Sequence, residues 1–122
     1  MALPKRVMRG GSYYKGYTLA VAGVGNHILN MSLAQASAIN GITIVPDTYG
    51  AGDYFTLEHI GTDGTTVLET LADTVYNVGA NAAWEFDFAS LELMGISESF
   101  RLTYTSVSGT ALNVYTCVER IK

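Results

Sequence analysis

The chain has 122 residues, of which 48% are apolar and 15% charged, against about 25% charged in an ordinary soluble domain. A chain of this length can bury one sizeable core without metal or disulfide, and its composition excludes intrinsic disorder. The formal net charge is only −4, but it is unevenly spread along the sequence.

The N-terminal fifteen residues hold Lys5, Arg6, Arg9 and Lys15 and no acid. From Gly16 to Phe100 there is no Lys or Arg, while all but one of the 11 acids fall there. Residues 1–11 therefore read as a basic arm ahead of an acidic body at 12–122, a single domain. An acidic body repels phosphate and offers no basic stripe, which argues against nucleic acid as a partner of the fold. The arm itself reads as solvated charge, as a docking segment for an acidic protein partner, or as a nucleic-acid tail. Tyr13, Tyr14 and Tyr17 accompany its cations, and Tyr beside Arg is the chemistry that protein interfaces favour. Lys5, Arg6, Arg9, Tyr13, Tyr14, Lys15 and Tyr17 are thus the candidate partner interface. Only Tyr17 to Leu19 separate Gly16 from the small triplet Ala20-Val21-Ala22, too few for the apolar stretch of an export signal. No run approaches the length of a membrane-spanning helix, so the expectation is a protein made in the cytoplasm with no membrane partner.

Short alternating runs rich in Thr, Tyr, Val and Phe follow, separated by Gly, Asn, Asp and Ser. Strands are predicted at Tyr17–Ala22, His27–Leu33, Gly41–Val45, Asp53–Ile60, Val67–Val75, Ala82–Phe88, Phe100–Ser106 and Leu112–Arg120. This is the pattern of an all-β antiparallel sandwich of about eight strands. Met31–Ile39, rich in Ala and Leu, is the one helix-compatible stretch, and it is too short to override the pattern. Gly23-Val24-Gly25-Asn26 reads as a hairpin, Asp63-Gly64 as a type I′ hairpin turn, and Ser108-Gly109 as the turn before the last strand. Trp84, Phe86 and Phe88 share a face, with Glu85 and Asp87 opposite. Phe100, Leu102 and Tyr104 alternate with Arg101, Thr103 and Thr105, and Leu112, Val114, Thr116 and Val118 with Asn113, Tyr115, Cys117 and Glu119. Each run is expected to have one core face and one wet face.

Chemistry is sparse in this sequence. His27 and His59 are the only histidines and Cys117 the only cysteine, so neither a zinc cluster nor an internal disulfide can be assembled. Glu58 and His59 point to opposite faces of one strand, and His59 is expected to pack or to cap a hydrogen bond. No Gly-x-Ser-x-Gly elbow frames a serine. Asp47 and Asp53 bracket a Pro- and Gly-containing loop and read as turn formers, with an oxygen cage for calcium as the alternative. Tyr49 and Tyr54 flank the same loop and could stack on sugar rings. No catalytic residue, cofactor or metal is assigned, and a small-molecule ligand is not expected.

The run Gly52-Asp53-Tyr54-Phe55-Thr56-Leu57-Glu58-His59, then Asp63-Gly64, Val67–Leu71, Trp84-Glu85-Phe86-Asp87-Phe88, Phe100-Arg101-Leu102-Thr103-Tyr104 and the ending Val118-Glu119-Arg120-Ile121-Lys122 resembles the small jelly-roll capsid cement, or decoration, proteins of tailed phages, including cyanophages. The resemblance spans roughly residues 12 to 122 and is one of strand order and texture. It implies a jelly roll, a homotrimer on the outer surface of the virion's icosahedral shell, a partner in the major capsid protein, and no catalytic residues. The alternative reading is a carbohydrate- or receptor-binding sandwich of a phage tail, using Tyr49 and Tyr54.

Overall fold

The structure, a computed structural model, describes residues 12–32, 37–94 and 97–121. Lys5, Arg6 and Arg9 lie outside these residues. Eight strands follow in order: β1 Ser12–Val21, β2 Gly25–Met31, β3 Ser37–Pro46, β4 Tyr54–Ile60, β5 Val67–Tyr76, β6 Trp84–Met94, β7 Ser99–Ser106 and β8 Leu112–Ile121. All eight sequence-predicted strands are present, most lengthened by a few residues. The largest differences are β6, which runs to Met94 rather than Phe88, and β1, which begins at Ser12 rather than Tyr17. Tyr13, Tyr14 and Lys15, read from sequence with the basic arm, therefore belong to a paired strand, opposite Arg120, Glu119 and Val118.

The strands form two antiparallel four-stranded sheets, β1-β8-β3-β6 and β2-β7-β4-β5. Consecutive strands alternate between the sheets everywhere except at β4–β5, which is the connectivity of a jelly roll. Two of the three expected hairpins are consequently corners. The link at Gly23–Gly25 carries the chain from β1 in the first sheet to β2 in the second, and Val107–Thr110 carries it back from β7 to β8. Glycines suit both, since Gly23, Gly25 and Gly109 have φ of 84°, 129° and 74°. The β4–β5 hairpin is real but longer than a two-residue I′ turn, which would require positive φ at two central residues. Only Gly64 has it, at 78°, and the loop is closed by Gly61 N–H donating to Thr66 O, by Gly64 N–H donating to Gly61 O, and by the Asp63 carboxylate accepting from Thr65 and Thr66.

The alternation seen in sequence becomes the core. Ile42, Ile44, Val114 and Val118 from the first sheet meet Phe55, Leu57, Phe100, Leu102 and Tyr104 from the second, all buried. Trp84, Phe86 and Phe88 run along β6 in edge and tilted contacts, joining Phe55 at one end and Phe100 at the other. The outer face of β8 departs from expectation. Cys117 and Glu119 are buried rather than wet, because β8 is a central strand walled by β1 and β3, with Gly16 and Thr43 flanking Cys117.

Candidate functional site

Two regions concentrate polar and aromatic chemistry. The first is the loop between β3 and β4, bounded by Asp47 and Asp53. Asp53 is fully buried, and its Oδ1 accepts from the Val107 and Ser108 backbone N–H groups at 2.7 and 2.9 Å. Its Oδ2 accepts from the Tyr104 hydroxyl at 2.8 Å and the Ser108 hydroxyl at 3.1 Å. Burial pushes the Asp53 carboxyl upward, but the hydrogen bonds from Ser108, Val107 and Tyr104 outweigh it and hold the group below the usual carboxylate range. Burial, reinforced by the Asp53 charge, pushes the Tyr104 phenol well above its ordinary value. Asn77 extends the network, donating from Nδ2 to Thr48 O and to the Tyr104 hydroxyl, both at 2.9 Å. Asp47 accepts from Asn113 N–H at 2.9 Å and from the Thr48 hydroxyl at 3.0 Å. The two acids thus lock this loop to the β7–β8 corner and to β8, in the manner of turn formers. Among the described residues no group of three or more His, Cys, Asp or Glu is placed to hold a metal ion.

His59 is buried against Phe100, ring centroids 5.0 Å apart, and its Nε2 lies 2.8 Å from Glu98 Oε1. It packs and forms a hydrogen bond, as its place in the strand leads one to expect. Tyr17 is committed to the fold. Its hydroxyl donates to Ser32 O at 2.9 Å, its ring packs on the core, and burial raises its pKa. Lys15 is exposed, its ammonium 5.9 Å from the Tyr17 ring centre, and Tyr14 is half-buried.

The second region is the open side of the sandwich. β5 and β6 are edge strands of different sheets and lie on the same side of the molecule. Between them is a cavity of about 430 Å³ walled by Pro46, Phe55, Val75, Tyr76, Ala83 and Trp84, with Thr74, Asn77, Val78 and Ala82 completing it. Trp84 is at once a core residue, edge-on to Phe55 at 5.6 Å, and part of this wall. Tyr76 and Val78 are 60% and 76% exposed, so the cavity opens between large apolar side chains. Two polar groups around it are engaged within the fold: Asn77 donates as described and accepts from Gly79 N–H, and Pro46 O accepts from Asn81 N–H at 2.8 Å. Of the two loop tyrosines singled out from sequence, Tyr49 is exposed, while Tyr54 meets Tyr76 edge-on at 6.0 Å. The aromatic pair beside the cavity is therefore Tyr54–Tyr76. Sequence analysis missed the cavity and Tyr76, because no local pattern says which strands lie at sheet edges.

No protein-family model matches the chain, and no curated protein matches it. Solved structures do. The carbohydrate-binding module CpGH89CBM32-6, produced by Clostridium perfringens, is 14% identical with a TM-score of 0.55, over 94% of this chain and 95% of that one. A chain of the cyanophage Pam1 capsid asymmetric unit is 16% identical with a TM-score of 0.50, over 99% of this chain and 93% of that one. The family 32 carbohydrate-binding module of AlyQ, in complex with 4,5-unsaturated mannuronic acid, is 16% identical with a TM-score of 0.50, over 83% and 75%. These likenesses establish the jelly-roll sandwich, a fold that serves both capsid components and binding modules.

Proposed function

We propose that this chain is a non-enzymatic structural protein of a virion: a cement or decoration protein that binds the outside of an icosahedral phage shell as a homotrimer and clamps neighbouring major capsid subunits. The observation that carries the reading is the chemistry of the open side. A sugar site needs an aromatic platform bordered by hydrogen-bonding groups that reach outward. Here the cavity wall is mostly apolar, Asn77 and Pro46 O are engaged within the fold, and Tyr76 meets Tyr54 edge-on rather than offering a free ring face beside it. That surface suits protein side chains. The near end-to-end match with a cyanophage capsid chain supports the same reading, as does the basic sequence Lys5, Arg6 and Arg9 ahead of β1. A trimer ties three weak contacts into one particle and so gains residence by avidity.

The second reading, a carbohydrate-binding module, is favoured by the likeness to the two family 32 modules. Co-sedimentation with undecorated phage shells, alongside retention on immobilised glycans, separates the two. The cement reading expects the protein to pellet with shells and to pass the glycans unretained, and the reverse result overturns it.

A further inference from the structure

The two sheets differ in what their outer faces show to solvent. On the β2-β7-β4-β5 sheet the central strands turn Arg101, Thr103 and Thr105, and Tyr54, Thr56 and Glu58, away from the core, and all six are half-buried. That is the exposure of central strands walled only by their neighbours. On the β1-β8-β3-β6 sheet the matching positions include Cys117 and Glu119 on β8 and Thr43 and Val45 on β3, at 4%, 0%, 0% and 3% exposure, with Tyr115 half-buried beyond them. Lateral walling does not make this difference. Register sets Glu119 between Tyr14 and Gly41, and Cys117 between Gly16 and Thr43, so one flank of each is a glycine with no side chain to shield it. Further out on the edge strands, Gly16, Thr18, Glu85 and Asp87 are exposed. A strip of cover therefore runs along the middle of this face.

Charge and chain length both point to what provides it. A carboxylate with no exposed surface, such as that of Glu119, needs a cation beside it. Of the lysines and arginines among the described residues, Lys15 and Arg120 alternate to the other face of their strands, and Arg101 belongs to the other sheet. The stretches 33–36 and 95–96 are links from one sheet to the other, joining β2 to β3 and β6 to β7. Residues 1–11 are tied at one end only, and they hold Arg9, Arg6 and Lys5, with Val7 and Met8 between, and no acid. They enter β1 at Ser12, paired with Ile121 at the Glu119 end of the face. From Ser12, Glu119 stands about 7 Å along the strands and about 5 Å across them. Arg9, ahead of Gly10-Gly11, reaches up to about 11 Å from Ser12 by backbone alone, and the two glycines permit the reversal this needs.

We infer that residues 1–9 fold back over the outer face of the β1-β8-β3-β6 sheet of their own subunit, turning at Gly10-Gly11, with Arg9 against Glu119 and with Val7 and Met8 over Cys117 and Thr43. Apolar burial by Val7 and Met8 offsets the cost of ordering the arm, and loss of Arg9 leaves a buried charge uncompensated. The inference goes beyond the cement reading and does not rest on it; a shell would meet the arm already in place.

Cys117, the single cysteine, lies under the cover and reports on it. In the full-length protein, without denaturant, its reaction with a maleimide should be slow in the wild type and on the order of a hundredfold faster in Arg9→Glu, where the arm is repelled. The charge exchange Arg9→Glu/Glu119→Arg should return the rate to within a few-fold of wild type. The emission of Trp84, the single tryptophan, should stay native in both variants, showing that the cover and not the sandwich has opened. A second pair of variants does not depend on the charges. Val7→Cys and Met8→Cys each offer Cys117 a thiol partner, and with oxidised glutathione at least one should close a disulfide within a single chain, seen as a monomer without free thiol on a non-reducing gel. Labelling of Arg9→Glu as slow as wild type, or an exchange variant as fast as Arg9→Glu, would overturn the Arg9–Glu119 contact. Thiols that stay free in both cysteine variants, or cross-linked dimers in place of internal bridges, would overturn the arm's place on its own sheet. Shell binding enters neither readout, so this inference and the cement reading fail separately.

Discussion

The loop end around Asp53 and the open side around Trp84 are built from similar aromatic and polar residues to opposite effect. At Asp53 every conspicuous polar group faces another within the fold: Tyr104, Ser108, Val107 and Gly50 all crowd one carboxylate. At Trp84 the ring packs on Phe55 yet also borders a cavity left open between two edge strands. The difference teaches that a buried acid near glycines is here a fastener, whereas the β5–β6 side leaves large apolar side chains, Tyr76 and Val78, exposed.

Removing the fastener should have the largest effect. Asp53→Ala leaves the Val107 and Ser108 N–H groups and the Tyr104 hydroxyl without their acceptor, at an expected cost of about 3–5 kcal/mol in chemical denaturation. A cost under 1 kcal/mol would remove the distinction between the two regions. Gly50→Ala should follow at about 1–3 kcal/mol, since a Cβ there would stand 2.1 Å from Asp53 Oδ2 and 2.9 Å from Ser108 Oγ. Gly64→Ala meets open space and acts only through its φ of 78°, so about 1 kcal/mol is expected. Ala83→Phe, on the open side, should change unfolding free energy by no more than about 0.5 kcal/mol when measured below the association concentration.

The same contrast has a pH signature. Asp53 is held below the unfolded value of about 3.9, so the folded state binds fewer protons there than the unfolded chain. Its contribution is therefore complete above about pH 5 and is lost as pH falls below about 4. Denaturation of wild type and Asp53→Asn across pH 2 to 7 should show curves that converge toward the acid end. Parallel curves would show that the carboxylate is not what fastens the loop.

Strand existence was legible in the sequence because each run alternates: Trp84-Glu85-Phe86-Asp87-Phe88 presents core and solvent in turn, and the fold uses it so. Partner choice was not legible. Gly23–Gly25 and Val107–Thr110 look like hairpin turns locally, but both are corners, a distinction settled by which sheet has room for the next strand. The start of β1 was hidden for another reason: Tyr13-Tyr14-Lys15 mixes aromatic and charged residues without an apolar partner face, and its strand is fixed by pairing to β8. The Asp53 network had one readable signal. Tyr104 falls on the core face of its strand, and a phenol buried there requires a hydrogen-bond partner from elsewhere in the chain. The cavity had none, since it exists only because β5 and β6 become edges on the same side.

Hydrogen–deuterium exchange of the full-length protein, measured well above and well below its association concentration, tests the division between the two regions most directly. The account predicts that association adds protection at Thr74 to Trp84 and leaves the Asp53 loop and the Val107–Thr110 corner unchanged. Protection gained at that corner, with the β5–β6 side exchanging equally at both concentrations, would contradict it.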